Sequence, residues 1–452
     1  MRMKFHIRTY GCQMNVRDTE SVAVLLERHG YMQAANEADA DIIIVNTCSV
    51  RGKAEDKALG KLGLMTAGKK HSPGRIVGAI GCMVERLGKE IFERVPSLDF
   101  AVGPEKLSDL PNVLNNVIAG RANTIEAGEN QELLDNAEEL TGHIQGRTSA
   151  FINILFGCNR CCSYCIVPSV RGRERSRAGA SVVKEATELA LRGVKEVTLL
   201  GQSVMSYGVC NDVWPSDHIS LGGFNEPLAR LLEAVAGIDG IDRIRFTSGH
   251  ASGCSDELIR AMAEVPKVCK HMHLPIQSGS DRILKMMGRG YSVAEYLNAV
   301  ERLRSSVDGL AITTDIILGF PTETKEDFQM TVDLMEKIGF DNAFIFKYST
   351  RPGTKAAEWD DDVPYDEKVR WNKVLLEFQD LHGLKINESL IGQSLEVLIE
   401  GVSPRNSSRW LGRTSSNKIV VFDPPADIKS GDLIDVSIER VMAQTLYGAV
   451  SV

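Results

Sequence analysis

No long apolar run occurs in this sequence. The N-terminal MRMKFHIRTYGCQMN is too polar for a signal peptide, and nowhere do the roughly eighteen apolar residues of a membrane helix follow one another. These absences exclude secretion and membrane insertion and predict a cytoplasmic protein with no membrane partner. No low-complexity stretch is present either. Nor is there an excess of positive charge. The formal net charge of -8 argues against a broadly basic, sequence-blind nucleic-acid binder, because phosphate affinity depends on Lys and Arg gathered opposite the backbone. Any RNA site is therefore local. One candidate is the stretch Arg171, Arg173, Arg175 and Arg177, interrupted among charged residues only by Glu174. The alternative for it is a solvated or internally paired loop.

What is present is the composition of a folded protein. At 452 residues, with 43% hydrophobic and 25% charged residues, the chain is long enough for two or three domains, and three are expected. Up to about residue 120, short apolar runs alternate with helical patterns, as in a parallel sheet covered on both faces. Strands are predicted at Lys4–Thr9, Asp41–Asn46 and Arg75–Ile80, with helices at Asp18–Arg28 and Ala54–Ala67. Residues 121–147 include the acidic EAGENQELLDNAEEL and read as a surface connector. From 148 to 387 the alternation resumes. Strands are predicted at Phe151–Leu155, Glu196–Leu200, Arg243–Phe246, His271–Pro275, Ala311–Leu318 and Ala343–Phe346, giving a partial (β/α)6 barrel followed by a long helix at Asp366–Ile386. From 388 to 452, period-two runs such as Leu395, Val397, Ile399 and Ile434, Val436, Ile438 predict a small β-barrel.

Ten cysteines in a reducing compartment are metal ligands, catalytic groups or buried thiols rather than disulfides. In GCNRCCSYC, residues Cys158, Cys162 and Cys165 form a C-x3-C-x2-C set. Three thiolates hold three irons of a 4Fe-4S cluster, which leaves one iron open to substrate, whereas an electron carrier uses four. A zinc knuckle or a buried thiol group is the alternative. Cys161 breaks the spacing and reads as a bystander, with a register that uses it as the other choice. Cys12, Cys48 and Cys82 each follow a predicted strand. Ligands of open α/β sheets bind at the carboxyl ends of strands, so these three can converge on a second three-cysteine cluster despite separations of 36 and 34 residues. Taken singly, each is equally a small buried residue at a strand end. Cys210, Cys254 and Cys269 show no such relation and read as structural.

TYGCQMN, VNTCSVR and IGCMVER around the first three cysteines, GCNRCCSYCIVP with the following RGRERSR, LLGQSVMSYG, HLPIQSGSD, MGRGY, TDIILGFPTET and YSTRPGTKAA together resemble the MiaB-type methylthiotransferases. The resemblance runs over essentially the whole chain, and the segment from about Ser389 is similar to the TRAM domain. It implies two 4Fe-4S clusters, held by Cys158, Cys162 and Cys165 and by Cys12, Cys48 and Cys82, with S-adenosylmethionine (SAM) chelated at the open iron of the first. It implies methylthiolation at carbon-2 of an isopentenylated adenosine in the tRNA anticodon loop, with flavodoxin or ferredoxin as electron donor. Gln13-Met14-Asn15 resembles the branch acting on isopentenylated adenosine, rather than those acting on threonylcarbamoyl-adenosine or on a ribosomal-protein aspartate.

Gln202, Ser248, Gln277 and Asp315 stand at or near predicted barrel-strand ends and are candidates for SAM contacts, with a strand-end hydrogen bond as the alternative for each. Thr322 occupies the place of a glycine in the family's GFPGET motif. A threonine there fits a negative φ and is strained at a positive one. The last segment carries six Lys and Arg against seven Asp and Glu, so only a local face, such as Arg405, Arg409 and Arg413, is left for RNA. Two other classes, an iron-sulfur electron carrier and a zinc-containing RNA-binding protein, remain as rivals.

Overall fold

The computed structural model describes residues 2–49, 52–72, 74–121, 123–128, 142–143, 146–214, 223–425 and 427–451. Two compact units result: Met1–Gln145 with Leu155–Arg160 and Cys165–Arg177, and Gly146–Ile154 with Cys161–Tyr164 and Ala178–Val452.

In the first unit, Ile42–Thr47 (IIIVNT) is buried along its whole length, as a strand covered on both faces must be. Its side chains alternate between two cores. Ile43 and Val45 pack with Leu62 and Met65 of the helix Gly52–Gly68, while Ile42 and Ile44 pack with Val22 and Leu26 of the helix Gln13–Arg28. Around this strand a six-stranded parallel sheet forms in the order Met32–Gln33, Lys4–Thr9, Ile42–Thr47, Ile76–Gly81, Phe100–Val102, Thr124–Glu126. The three strands that precede Cys12, Cys48 and Cys82 are neighbours, with Thr9 opposite Asn46 and Thr47 opposite Gly81. Thr124–Glu126 lies inside the stretch expected to be a connector. Three residues at a sheet edge carry too little periodicity to announce a strand. Residues 129–141 and 144–145 of that stretch lie outside the described residues, as do Val50 and Arg51 of VNTCSVR.

In the second unit, six parallel strands follow one another as a partial barrel. Ser149–Asn153, Glu196–Leu200 and Arg243–Phe246 form one sheet, and His271–His273, Ala311–Leu318 and Asn342–Lys347 another. A parallel bridge between Ile244 and Val268 joins the two. The helix Tyr365–Glu388 then leads to a closed five-stranded barrel of Ser394–Ser403, Asn406–Thr414, Ile419–Phe422, Leu433–Met442 and Thr445–Val450. Val397, Ile399, Val436 and Ile438 fill its core, on the alternating positions that the sequence pattern picks out.

The closed barrel is pinned to the amino ends of the parallel strands. Buried Arg243 donates to the Arg413 carbonyl (2.5 Å) and to the carboxylate of Glu396 (2.8 Å). Arg245, ion-paired with Glu196 at 2.8 Å, donates to the carbonyls of Thr414 (2.7 Å) and Ser415 (3.0 Å). Lys418 reaches Asp341 and Asn387. These contacts hold the barrel against the parallel strands within the one compact unit.

Candidate metal centres and cosubstrate site

At the carboxyl end of the first unit's sheet, two asparagines set the loop geometry. Asn15 and Asn46, both fully buried, exchange hydrogen bonds: Asn15 Nδ2 donates to Asn46 Oδ1, and Asn46 Nδ2 donates to the Asn15 carbonyl, each at 2.9 Å. Asn15 also donates to the Thr47 carbonyl and accepts from the Cys12 amide. The loop carrying Cys12 is thereby tied to the strand that ends at Cys48. Gly11, at φ +141°, has no room for a side chain, since a Cβ there would stand 2.6 Å from Cys48 Cβ. Cys12 and Cys48 meet through a thiol hydrogen bond, which together with the charge of Arg171 holds the Cys12 thiol down to about 6 against the opposing effect of burial. Cys82 is buried immediately after its strand and its thiol is pushed up by burial.

Arg171 is the one cation at this centre that the described contacts identify. It is buried, donates from Nε to Cys82 Sγ (3.2 Å) and from Nη2 to Asp18 Oδ2 (2.7 Å). Burial opposes its charge, but Asp18 and the thiols outweigh that and raise its pKa well above the ordinary value. Three cysteines beside a fixed cation suit a thiolate-bound, negatively charged cluster, because ligation requires the thiols to lose their protons. Among the described residues no three His, Cys, Asp or Glu are grouped as a single metal ion would need.

The basic stretch is thus largely internal. Arg171 and Arg177 are buried and Arg175 pairs with Glu105, which leaves Arg173 exposed. This fits the internally paired alternative for all but Arg173.

Cys158, Cys162 and Cys165 lie in the loop after the short strand Leu155–Phe156. Cys158 is buried and Cys162 and Cys165 are half-buried, while Cys161 is exposed. Cys158 Sγ accepts the Arg160 amide at 3.4 Å. In the second unit, buried Arg289 of MGRGY donates to Cys162 Sγ (3.5 Å), to the Pro275 carbonyl (2.8 Å) and to Tyr291 (3.0 Å). Cys254 and Cys269 are buried singly, and burial pushes the Cys254 thiol up to about 12, as befits a structural residue.

The four polar candidates all belong to the second unit; three lie beyond the carboxyl ends of its parallel strands and Asp315 within one. Gln202 follows Glu196–Leu200, Ser248 follows Arg243–Phe246, Gln277 follows His271–His273, and Asp315 lies within Ala311–Leu318. The Oε1 atoms of Gln202 and Gln277 are buried without a hydrogen-bond partner among the described residues. Such atoms are costly unless something bound satisfies them. Ser248 and Gln277 have positive φ values of 62° and 77°, sparsely populated for residues other than glycine. Asp315 stands 3.4 Å from His273 Nε2, and the His273 ring meets Phe344 edge-on. Phe344 and Phe346, 45% and 37% exposed on the last strand, add an apolar edge that the sequence motifs did not single out. Buried acceptors without partners fit a cosubstrate that brings hydrogen-bond donors such as an ammonium group. Thr322 has φ +66°, the strained case for a threonine. Its backbone is held by Asp362 (2.7 Å) and Arg282 (2.6 Å).

Three regions match known families: residues 4–103 the uncharacterized protein family UPF0004, 152–335 the Radical SAM superfamily, and 388–450 the TRAM domain. Among similar proteins, the tRNA-2-methylthio-N(6)-dimethylallyladenosine synthase of Opitutus terrae is 41% identical over 98% of this chain and 97% of its own. Those of Caldicellulosiruptor saccharolyticus and Syntrophomonas wolfei are each 43% identical over 99% of this chain, covering 92% and 98% of theirs. The fold is similar to that of the radical S-adenosylmethionine methyltransferase TsrM from Kitasatospora setae, at a TM-score of 0.57 and 14% identity, covering 78% of this chain and 75% of that one. Radical SAM membership implies a 4Fe-4S cluster and SAM.

Proposed function

This chain belongs to the tRNA-2-methylthio-N(6)-dimethylallyladenosine synthase family, and from that premise we propose that it is a radical SAM methylthiotransferase acting on carbon-2 of N6-isopentenyladenosine beside the anticodon of tRNA. The observation that carries this reading is similarity along the full length: the chain is 43% identical to the Syntrophomonas wolfei synthase over 99% of its own length and 98% of that protein's, and the UPF0004, Radical SAM and TRAM matches follow one another along it. The functional modules are 1–120, 148–387 and 388–452.

Carbon-2 of adenine bears a hydrogen that neither a base nor an ordinary nucleophile readily displaces, so the reaction is radical in kind. When bound, one 4Fe-4S cluster would supply the electron that splits SAM into methionine and a hydrogen-abstracting 5'-deoxyadenosyl radical, a second would supply the sulfur, and another molecule of SAM would supply the methyl group on that sulfur. Cys158, Cys162 and Cys165 would hold the first by their spacing. Gln202 and Gln277 supply buried acceptors to SAM donors, and Ser248 and Asp315 complete its polar surround. Cys12, Cys48 and Cys82 would hold the second cluster at the sheet's carboxyl end. The TRAM barrel grips the RNA, and a flavodoxin or ferredoxin delivers the electron. Action on tRNA implies a cytoplasmic site of action; no helix among the described residues is long and apolar enough to cross a membrane.

The test is anaerobic turnover of the reconstituted protein with SAM, reductant, sulfide and anticodon-loop RNA, reading nucleosides and 5'-deoxyadenosine by mass spectrometry. The isopentenylated RNA is expected to gain a carbon-2 methylthio group, and threonylcarbamoylated RNA is expected to stay unchanged. Absence of both product and 5'-deoxyadenosine from protein carrying two clusters would overturn the reading.

A further inference from the structure

The helix Val167–Arg171 begins two residues after Cys165 and ends on a side chain that touches a ligand candidate of the other cluster. Arg171 Nε donates to Cys82 Sγ at 3.2 Å, and Arg171 Nη2 bonds Asp18 Oδ2 at 2.7 Å. Arg171 is 6% exposed, Asp18 5% and Cys82 3%, so water screens none of them well. Asp18 sits one turn into the helix Gln13–Arg28, which starts next to Cys12. Ile166 and Val170 pack on Cys82 and close the apolar side.

We infer that Arg171 and Asp18 form a charge pair that sets the reduction potential of the auxiliary cluster held by Cys12, Cys48 and Cys82, with Arg171 raising it and Asp18 lowering it. The inference rests on the assignment of those cysteines as cluster ligands. An N–H donor to a ligand sulfur and a nearby fixed cation both favour the more negative, reduced state of a cluster, and a carboxylate opposes it. Because the guanidinium bonds the sulfur directly while the carboxylate lies behind it, the net effect of the pair is to raise the potential. The pair reaches the cluster from the segment that also carries Cys165, so one short stretch of chain serves both cysteine sets. Arg171 is a positioning residue here, acting through Cys82.

The test uses the full chain with Cys158, Cys162 and Cys165 all replaced by Ala, so that only the auxiliary cluster is present, reconstituted anaerobically and titrated redox-potentiometrically by electron paramagnetic resonance. In that background Arg171→Gln is expected to shift the midpoint to more negative potential and Asp18→Asn to more positive potential, each with unchanged iron content. A residue pair that only holds the fold would not move the potential in opposite directions. Shifts of the same sign, or no shift in either, overturn the inference. If Arg171→Gln fails to fold, the near-isosteric Asp18→Asn decides alone, and a potential unchanged or lowered there overturns it. If the triple-alanine protein binds no iron while the unsubstituted chain binds one cluster, the auxiliary-cluster assignment falls and the inference with it.

Discussion

Replacing Arg245 by methionine is expected to loosen the TRAM barrel from the parallel strands. The guanidinium is buried, pairs with Glu196 at 2.8 Å and donates to the carbonyls of Thr414 and Ser415 at 2.7 and 3.0 Å. Removing one partner of a buried ion pair costs about 3–5 kcal/mol, chiefly because the other charge is left stranded. Glu196 is that stranded charge, with only 8% of its side chain exposed. The two carbonyls lose charge-assisted bonds as well, but both come from one deletion, so about 4 kcal/mol in all is the working magnitude. At 1.4 kcal/mol per factor of ten, that is close to a thousandfold rise in the opening equilibrium. Hydrogen exchange read by mass spectrometry over Asn406–Thr414 and Arg243–Phe246 measures it directly. Glu196→Leu added to Arg245→Met should recover at least tenfold of the lost protection, since no buried charge then remains unpaired. A change under tenfold in Arg245→Met, or no recovery in the double variant, would refute the reasoning.

Other consequences are open to measurement. Burial pushes the Glu323 carboxyl up to about 7, so its folded pKa lies above its unfolded one. Its contribution to stability is full below about pH 4.5 and lost as pH rises through 7, worth roughly 3 kcal/mol; Glu323→Gln should flatten thermal melts compared between pH 5 and 8. Thr322→Gly relieves a left-handed threonine at φ +66° and is expected to stabilise by about 1 kcal/mol, whereas Thr322→Ala, which keeps the Cβ, should gain little in calorimetry. Gln202→Ala and Gln277→Ala each remove a buried acceptor without a partner, so SAM affinity should fall about tenfold in equilibrium dialysis while thermal stability holds. Unchanged affinity with lost stability would make both residues structural.

Much of the fold is legible because periodicity and flanking turns agree. Lys4–Thr9, Glu196–Leu200, Arg243–Phe246 and Ala311–Leu318 run as their patterns predict. The first helix begins at Gln13 rather than at Asp18, because Asn15 turns back to accept the Cys12 amide and so starts a helix in what reads as a polar loop. Met32–Gln33 and Phe100–Val102 are too short to show a period. The cysteines stand out by spacing and by their strands. Arg171 does not, since a run of arginines gives no sign of which are buried, and Asp18 lies 153 residues away. Asn46 was equally hidden, as its use depends on Asn15 across a loop that only the folded sheet closes.

The second unit separates grip from chemistry along the strand direction. Arg243, Lys270 and Asp341, at the amino ends of the parallel strands, hold the TRAM barrel, whereas Gln202, Ser248 and Gln277 lie beyond the carboxyl ends. A five-residue strand such as Glu196–Leu200 puts about 17 Å between those ends. On the proposed function, an RNA seated on the TRAM barrel would present its modified base well away from the surface that holds it. The barrel's charges suit a modest grip of that kind, because Arg409 is paired with Asp423 and Arg413 with Glu400, and Arg440 lies over the Tyr447 ring at 3.8 Å.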